Sequence, residues 1–326
     1  MHLPVLRKGV RAVMELYLSL AFFQNTLLKY ESAQKKEAQG DGHISSGIWR
    51  MPSGIHRAEQ SGQVRSGQQP SEDMGIYLAG TGGRQEMLLG QDQEGASNLI
   101  PTANILQSFF YADDITERYI IPQAKRFLLD SGAFTFMQTN PAGVDWNDYV
   151  KRYADFINRN NIDRFFELDI DPIVGYENVL KLRQDLERRT GRQCIPVWHK
   201  SRGIEAFDEM CDEYGYVSIG GIVSKEIKQN EWRYFPEFIN RAHRKGAKIH
   251  GLGFTAVSAL HRYHFDSVDS TAWVTGNRFG GVFQYKHGTI VKHDKPAGMR
   301  MADARTLAIH NFREWVRFAD FAEASL

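Results

Sequence analysis

From residue 74 onward the chain alternates short apolar runs with stretches of helical period, and this alternation limits the folds open to it most. The runs span 76–79, 127–130, 165–169, 194–198, 216–219, 248–251, 267–269 and 281–285. Such runs lack the in-out polarity of half-exposed strands and read as parallel strands covered on both faces. Helical patterns fall between most of them, at 146–158, 177–189, 203–213, 231–245 and 255–262, and a last one at 302–321 ends the chain. In the first, Tyr149, Tyr153, Phe156 and Ile157 form one stripe. Eight strands interleaved with helices over roughly 250 residues fit an α/β fold of the TIM type, a (β/α)8 barrel. A doubly wound open sheet is the second choice, but no Gly-x-Gly-x-x-Gly follows the first run to mark a dinucleotide site.

Upstream the texture differs. Residues 12–28 are apolar-rich but carry Glu15, Gln24 and Asn25, and they fall short of the roughly 20 residues that a membrane span needs. Arg7, Lys8 and Arg11 resemble a signal-peptide start, yet Glu15 and the lack of a small-residue cleavage site argue for a short amphipathic helix or no fixed structure. Residues 31–73 are rich in Ser, Gly, Gln and charge and keep no hydrophobic period, so disorder is expected there. The chain therefore divides into an extension, 1–73, and a catalytic domain, 74–326, and Met74 is a candidate translation start. Forty Lys and Arg against 39 Asp and Glu give no global basic excess. The two cysteines, Cys194 and Cys211, have neither the number nor the spacing of a zinc site or a disulfide framework, and free thiols suit the cytoplasm.

Barrel enzymes place their chemistry at the C-terminal ends of the strands. Those ends read Asp130-Ser131-Gly132-Ala133-Phe134, Glu167-Leu168-Asp169-Ile170-Asp171, Trp198-His199-Lys200, Gly220-Gly221-Ile222, His250-Gly251-Leu252-Gly253 and Asp266-Ser267-Val268-Asp269-Ser270. Taken singly, each has an ordinary explanation. Asp130-Ser131-Gly132 makes a good helix cap, Gly220-Gly221 a tight turn, His199 a packing histidine and Phe134 a core residue. Asp169 and Asp171 share a face and suit either a solvated rim or magnesium. Convergence at one end of a barrel is what raises the set above these readings.

The ordered set resembles the tRNA-guanine transglycosylase superfamily over roughly residues 74–281. Asp130-Ser131-Gly132-Ala133-Phe134 resembles its Asp-Ser-Gly-Gly-Tyr/Phe motif, and 166–171 its strand ending in a substrate-binding aspartate. Ile219-Gly220-Gly221-Ile222 resembles its Gly-Gly-Leu turn, and His250-Gly251-Leu252-Gly253 its apolar-Gly-x-Gly segment. Asp269-Ser270, followed by Trp273, resembles the strand with its nucleophile; Asp266 after Phe265 fits the family's Phe-Asp pattern and competes for that role. The resemblance implies exchange of guanine in a nucleic acid for a 7-deazaguanine. Asp269 would attack C1′, Asp130 would serve as general acid or base beside Ser131, and Asp169 would bind the purine edge. The amides near Gly221 and Ile222 would hold the exocyclic oxygen, His199, Gly220 and Gly251 would join in binding the substrate, and Phe134 would stack on the base.

The chain also departs from the family. A zinc site of three Cys and one His is impossible with two cysteines, His199 stands where a Gln is usual, and Ala133 replaces the second motif glycine. These departures point to the zinc-free paralogues of phages and bacterial gene clusters that insert 7-deazaguanines, such as 7-cyano-7-deazaguanine (preQ0), into DNA. No cofactor or metal is then expected, only the deazaguanine as co-substrate, with DNA as partner and another protein to open the duplex if one is needed. The same exchange on tRNA is the close alternative. A metal-dependent phosphodiester hydrolase using Asp169, Asp171 and His199 is another, and a non-catalytic nucleic-acid binder a third. Arg188, Arg189, Arg192, Lys200, Arg202, Arg278 and Lys286 are candidate phosphate contacts, although the 188–192 run reads more simply as solvated surface.

Overall fold

Side chains on a strand point alternately to its two faces, and that alternation organises the core. The computed structural model describes residues 75–90, 97–138, 143–254, 256–295 and 303–325, with backbone alone at 138 and 277–279. The expected amphipathic and disordered stretches and Met74 lie outside the described residues. Seven parallel strands form one curled sheet: β1 (Gly75–Leu78), β2 (Asn104–Ser108), β3 (Arg126–Asp130), β4 (Val197–Trp198), β5 (Tyr216–Ile219), β6 (Lys248–Gly251) and β7 (Ser267–Ser270). Their order is β3-β2-β1-β7-β6-β5-β4, which puts the first and last strands side by side in the middle. Segment 165–167 lies against both outer strands: Leu129 bridges to Phe165 and Phe166 bridges to Ile195, both parallel.

One face of the sheet gathers a small apolar cluster, Tyr77, Leu106, Leu128, Phe166, Ile195 and Val197. The residues of opposite parity, among them Ile76, Leu78, Ile105, Val217, Ile249 and Val268, belong to a much larger cluster shared with the helices. The sheet is therefore buried on both faces, as the continuous apolar runs require. Among the described residues the α-helices of eight or more residues are α1 (Trp146–Arg159), α2 (Tyr176–Thr190), α3 (Gly203–Glu213), α4 (Phe235–Arg244), α5 (Ala272–Phe279) and α6 (Ala304–Ser325). Helix α1 starts where the Asp145 carboxylate accepts from the Asn147 and Asp148 amides. It buries Tyr149, Tyr153, Phe156 and Ile157, the stripe visible in the sequence. Among the described residues no helix is long and apolar enough to cross a membrane.

Several expectations need correction. Strand β2 was not expected, because Asn104, Gln107 and Ser108 leave only Ile105 and Leu106 as an apolar signal. Residues 281–285 do form a strand, β8 (Val282–Lys286), but it pairs antiparallel with β9 (Thr289–His293) and stands outside the seven-stranded sheet. The turn between them has positive φ at His287 and Gly288, the conformation that suits a tight hairpin. Buried Asn311 and Glu314 of α6 accept from the Phe283 and Tyr285 amides and hold this hairpin in place. The pattern at 231–245 resolves into a 3-10 turn, Gln229–Tyr234, followed by α4, and that at 255–262 shrinks to a turn of helix, Val257–Leu260. Helix α5 had no counterpart among the expected elements.

Candidate active site

Because the strands are parallel, their C-terminal ends share one side of the sheet. Asp130 ends β3 in register with Ser108 at the end of β2. Its carboxylate accepts from the Gly132 amide at 2.9 Å. The side chain is half-buried, and its pKa is pushed up to about 7. Burial is the main cause, and the charge of Asp169 adds to it; the Gly132 amide and the Ser108 hydroxyl pull the other way, and Asp269 contributes a further upward push. Burial and neighbouring negative charge both favour the protonated acid. Asp130 thus senses the charges of both Asp169 and Asp269.

The scaffold under Asp130 is polar and well bonded. The Tyr149 hydroxyl donates to the carbonyl of Ser131 at 2.6 Å, and the Tyr153 hydroxyl reaches the carbonyls of Leu129 and Phe166. Helix α1 therefore ties β3 to the 165–167 segment. Gly132 has φ of 85°, and a Cβ there would lie 2.7 Å from the Phe110 Cβ, so the position is restricted to glycine. Ser131 is fully buried, whereas Phe134 is 43% exposed and available for stacking.

Asp169 is buried, and its carboxylate lies 2.9 Å from Nε2 of His199. The other nitrogen, Nδ1, lies 2.9 Å from the Glu226 carboxylate. Burial alone would lower the His199 pKa, but the hydrogen bonds to the two carboxylates reverse this and push it up to about 10. His199 is thus an imidazolium at neutral pH, donating from both nitrogens. Burial also raises Asp169, with His199 opposing, while the bond to His199 holds Glu226 below its ordinary range. The Gly220-Gly221 turn makes room for this chain of charges. A Cβ on Gly220 would sit 2.9 Å from the His199 ring, and one on Gly221 would sit 2.8 Å from the Glu226 carboxylate. Neither the Gly221 nor the Ile222 amide donates a hydrogen bond among the described residues.

Asp269, on β7, is buried, and its Oδ1 accepts from the Gly253 amide at 2.5 Å and lies 3.3 Å from Nε2 of His250. His250 is held in turn by the Ser267 hydroxyl at 2.6 Å. Gly253 has positive φ. Gly251 packs against Phe254 and Phe265 and acts as a spacer, so Gly253 is the glycine of this segment that touches a candidate catalytic group. Asp266 precedes β7 at the opposite end of the sheet. It bonds to His243 of α4 and to the Ile249 amide, so the structure separates it from Asp130 and Asp169, whereas Asp269 faces them.

The pairing of Asp169 with Asp171 needs correction. Both Asp171 oxygens are taken by Arg202, at 2.8 and 2.6 Å. Arg202 also bonds Glu167, which is fully buried and receives Arg183 at 2.7 Å as well. Burial pushes Glu167 up, yet the two guanidiniums hold it below the usual carboxylate range. Arg202 is thus a buried structural cation and not a phosphate contact. Arg188 and Arg189 pair with Asp185, Arg192 with Asn158 and Asn161, and Lys200 with Glu231, while the Arg278 side chain lies outside the described atoms. Lys286 closes β8 on the hairpin, outside the sheet that carries the aspartates.

Two neighbours of the candidate groups carry no sequence signal of their own, Glu226 and Ser108. His250 opens a quoted glycine segment, but its place beside Asp269 follows only from its register with Ser267. A comparison with protein-family models and with curated proteins finds no match for this chain. The arrangement itself supplies a carboxyl that titrates near neutrality, a second carboxylate fixed by a backbone amide and a third locked to an imidazolium, all at one strand end. Such a set can move a proton, form a covalent bond and hold a polar ligand edge.

Proposed function

We propose that the chain is a (β/α)8 barrel transglycosylase, with 165–167 as its fourth strand, that replaces guanine in DNA with a 7-deazaguanine such as 7-cyano-7-deazaguanine. The observation that carries this reading is the meeting of Asp130, Asp169 and Asp269 at one side of the sheet, where burial first, and then the charges of the other two, push Asp130 up to about 7. Glycosidic cleavage passes through an oxocarbenium-like state that a carboxylate can capture, while a second carboxyl manages the leaving-group proton. Asp269 attacks C1′ of the flipped nucleotide, the bond from C1′ to the purine nitrogen breaks, and Asp130 delivers a proton to the departing guanine. The incoming deazaguanine then attacks C1′ through its ring nitrogen, returns a proton to Asp130 and releases Asp269. Asp169 accepts from the purine edge, the amides of Gly221 and Ile222 hold the exocyclic oxygen, and Phe134 stacks on the extruded base.

His199 takes part differently from the simple expectation. Both its nitrogens are engaged, so it orients Asp169 and leaves the ligand to that carboxylate. The hydrolase alternative loses support because Asp171, one of its three ligands, is turned to Arg202. The test is a quench of enzyme incubated with guanine-containing DNA, followed by peptide mass analysis. A deoxyribosyl adduct on the peptide containing Asp269 is expected. An adduct on a different carboxylate, or none while exchange proceeds, overturns the assignment.

A further inference from the structure

The loop after β1, Gly80-Thr81-Gly82-Gly83, ends in Arg84, whose guanidinium is half-buried yet has no carboxylate partner among the described residues. This sets it apart from Arg183 and Arg202, the buried guanidiniums that meet Glu167. Arg84 donates only through Nη1, to the carbonyls of Gly80 at 3.3 Å and Gly82 at 3.2 Å. Nε and Nη2 have no acceptor among the described residues. The guanidinium also lies 5.9 Å from the centre of the Trp273 ring. Burial without a counter-charge lowers its pKa below the ordinary arginine value.

The position of the loop gives this unpaired charge a meaning. Tyr77 of β1 is in register with Asp269 of β7, the Ala79 amide donates to the Ser270 carbonyl, and the Trp273 indole donates to the Ala79 carbonyl. Arg84 therefore follows the strand that neighbours the one bearing Asp269, on the side of the sheet where both strands end. Among the described residues no atom lies near the place a Cβ on Gly82 or Gly83 would take, so the loop backbone is open there to an approaching ligand.

We propose that Arg84 binds a backbone phosphate of the nucleic acid beside the target nucleotide, through the fork formed by Nε and Nη2. The inference rests on the transglycosylase reading for the identity of the ligand. A phosphodiester supplies two anionic oxygens with the spacing a guanidinium fork accepts. It also supplies the charge that a half-buried arginine lacks, and contact on that side would help set the sugar against Asp269.

The experiment is fluorescence-detected binding of the full-length protein to two single-stranded DNA oligonucleotides of unrelated sequence, across a salt series. It compares the wild type with Arg84→Ala and Arg84→Lys. Losing one phosphate contact is expected to weaken binding on the order of tenfold for both sequences and to reduce the salt slope by roughly 0.7. Arg84→Lys should restore the slope, because its charge still releases a counterion. Unchanged affinity and slope in a folded Arg84→Ala protein overturn the proposal, as does a loss confined to one sequence, which would signal a base contact. If Arg84→Ala does not fold, Arg84→Gln is read in its place, since it keeps a donor for the loop carbonyls. Base exchange is scored separately. Binding that depends on Arg84 without exchange would sink the transglycosylase reading and keep the phosphate site; exchange with a slope independent of Arg84 would do the reverse.

Discussion

Nε2 of His199 lies 2.9 Å from Oδ2 of Asp169, in a buried contact that fixes both the charge of the ring and the direction of the carboxylate. Glu226 completes the arrangement from the other side. The imidazole, which has an ordinary pKa near 6.5, is pushed up to about 10 in the folded protein. A raised folded-state pKa means that the stabilisation is fully present below the unfolded value and fades as pH climbs through the folded one. Stability from this group should therefore decline between about pH 6.5 and pH 10. Denaturant melts across that window check it, and His199→Gln should flatten the decline.

Asp130 titrates in the opposite sense to a salt-bridged carboxylate. Its folded pKa of about 7 exceeds the unfolded value, so the folded form holds its proton more tightly. Stability falls as pH rises from about 4 to 7. Asp130→Asn should remove this loss and raise the melting temperature at pH 8, while cutting exchange by at least about a hundredfold for want of an acid-base group. A variant that melts lower at pH 8 would contradict the burial argument.

The Gly253 amide holds Asp269, and a Cβ at Gly253 would collide with the Val223 side chain. The residue also sits at positive φ. Gly253→Ala should destabilise the loop by about 1–3 kcal/mol and lower kcat more than it raises KM, because Asp269, the proposed nucleophile, loses its direction. Val223→Ala in the same chain should recover part of the stability by opening space for the new methyl.

Glu167 is buried, and its carboxylate is bonded by the guanidiniums of Arg183 and Arg202 and by the Val197 amide. Its expected role is structural. Glu167→Gln should cost about 3–5 kcal/mol through the stranded cations, measured by chemical denaturation, with KM nearly unchanged in whatever fraction stays folded.

Much of this architecture was legible in the sequence because buried parallel strands are short and apolar and because most of them end in, or run directly into, Asp, Gly or His. The runs ending in Asp130, Ile219, Gly251 and Asp269 sit in the sheet as expected. What escaped had a physical reason. Strand β2 carries polar residues on both sides of Ile105 and Leu106, since Asn104 bonds Glu323 of α6 and Gln107 bonds Thr81. Residues 281–285 carry a true strand signal, but local sequence does not distinguish a parallel partner from the antiparallel one across the His287-Gly288 turn. Glu226 lies 27 residues beyond His199 in a polar loop, and only folding brings them together. Asp169 and Asp171 share a face on paper, yet Arg202 turns the second away.

The central claim is base exchange through Asp269, and the most direct measurement is transfer of labelled 7-cyano-7-deazaguanine. The pure full-length protein would be incubated with labelled base and, in separate reactions, duplex DNA, single-stranded DNA and unmodified tRNA. The account expects label in DNA with wild-type protein and none with a folded Asp269→Asn variant. Label in tRNA alone would move the same chemistry to the other nucleic acid. No label in any of them, or equal transfer by the Asp269→Asn variant, would contradict the account.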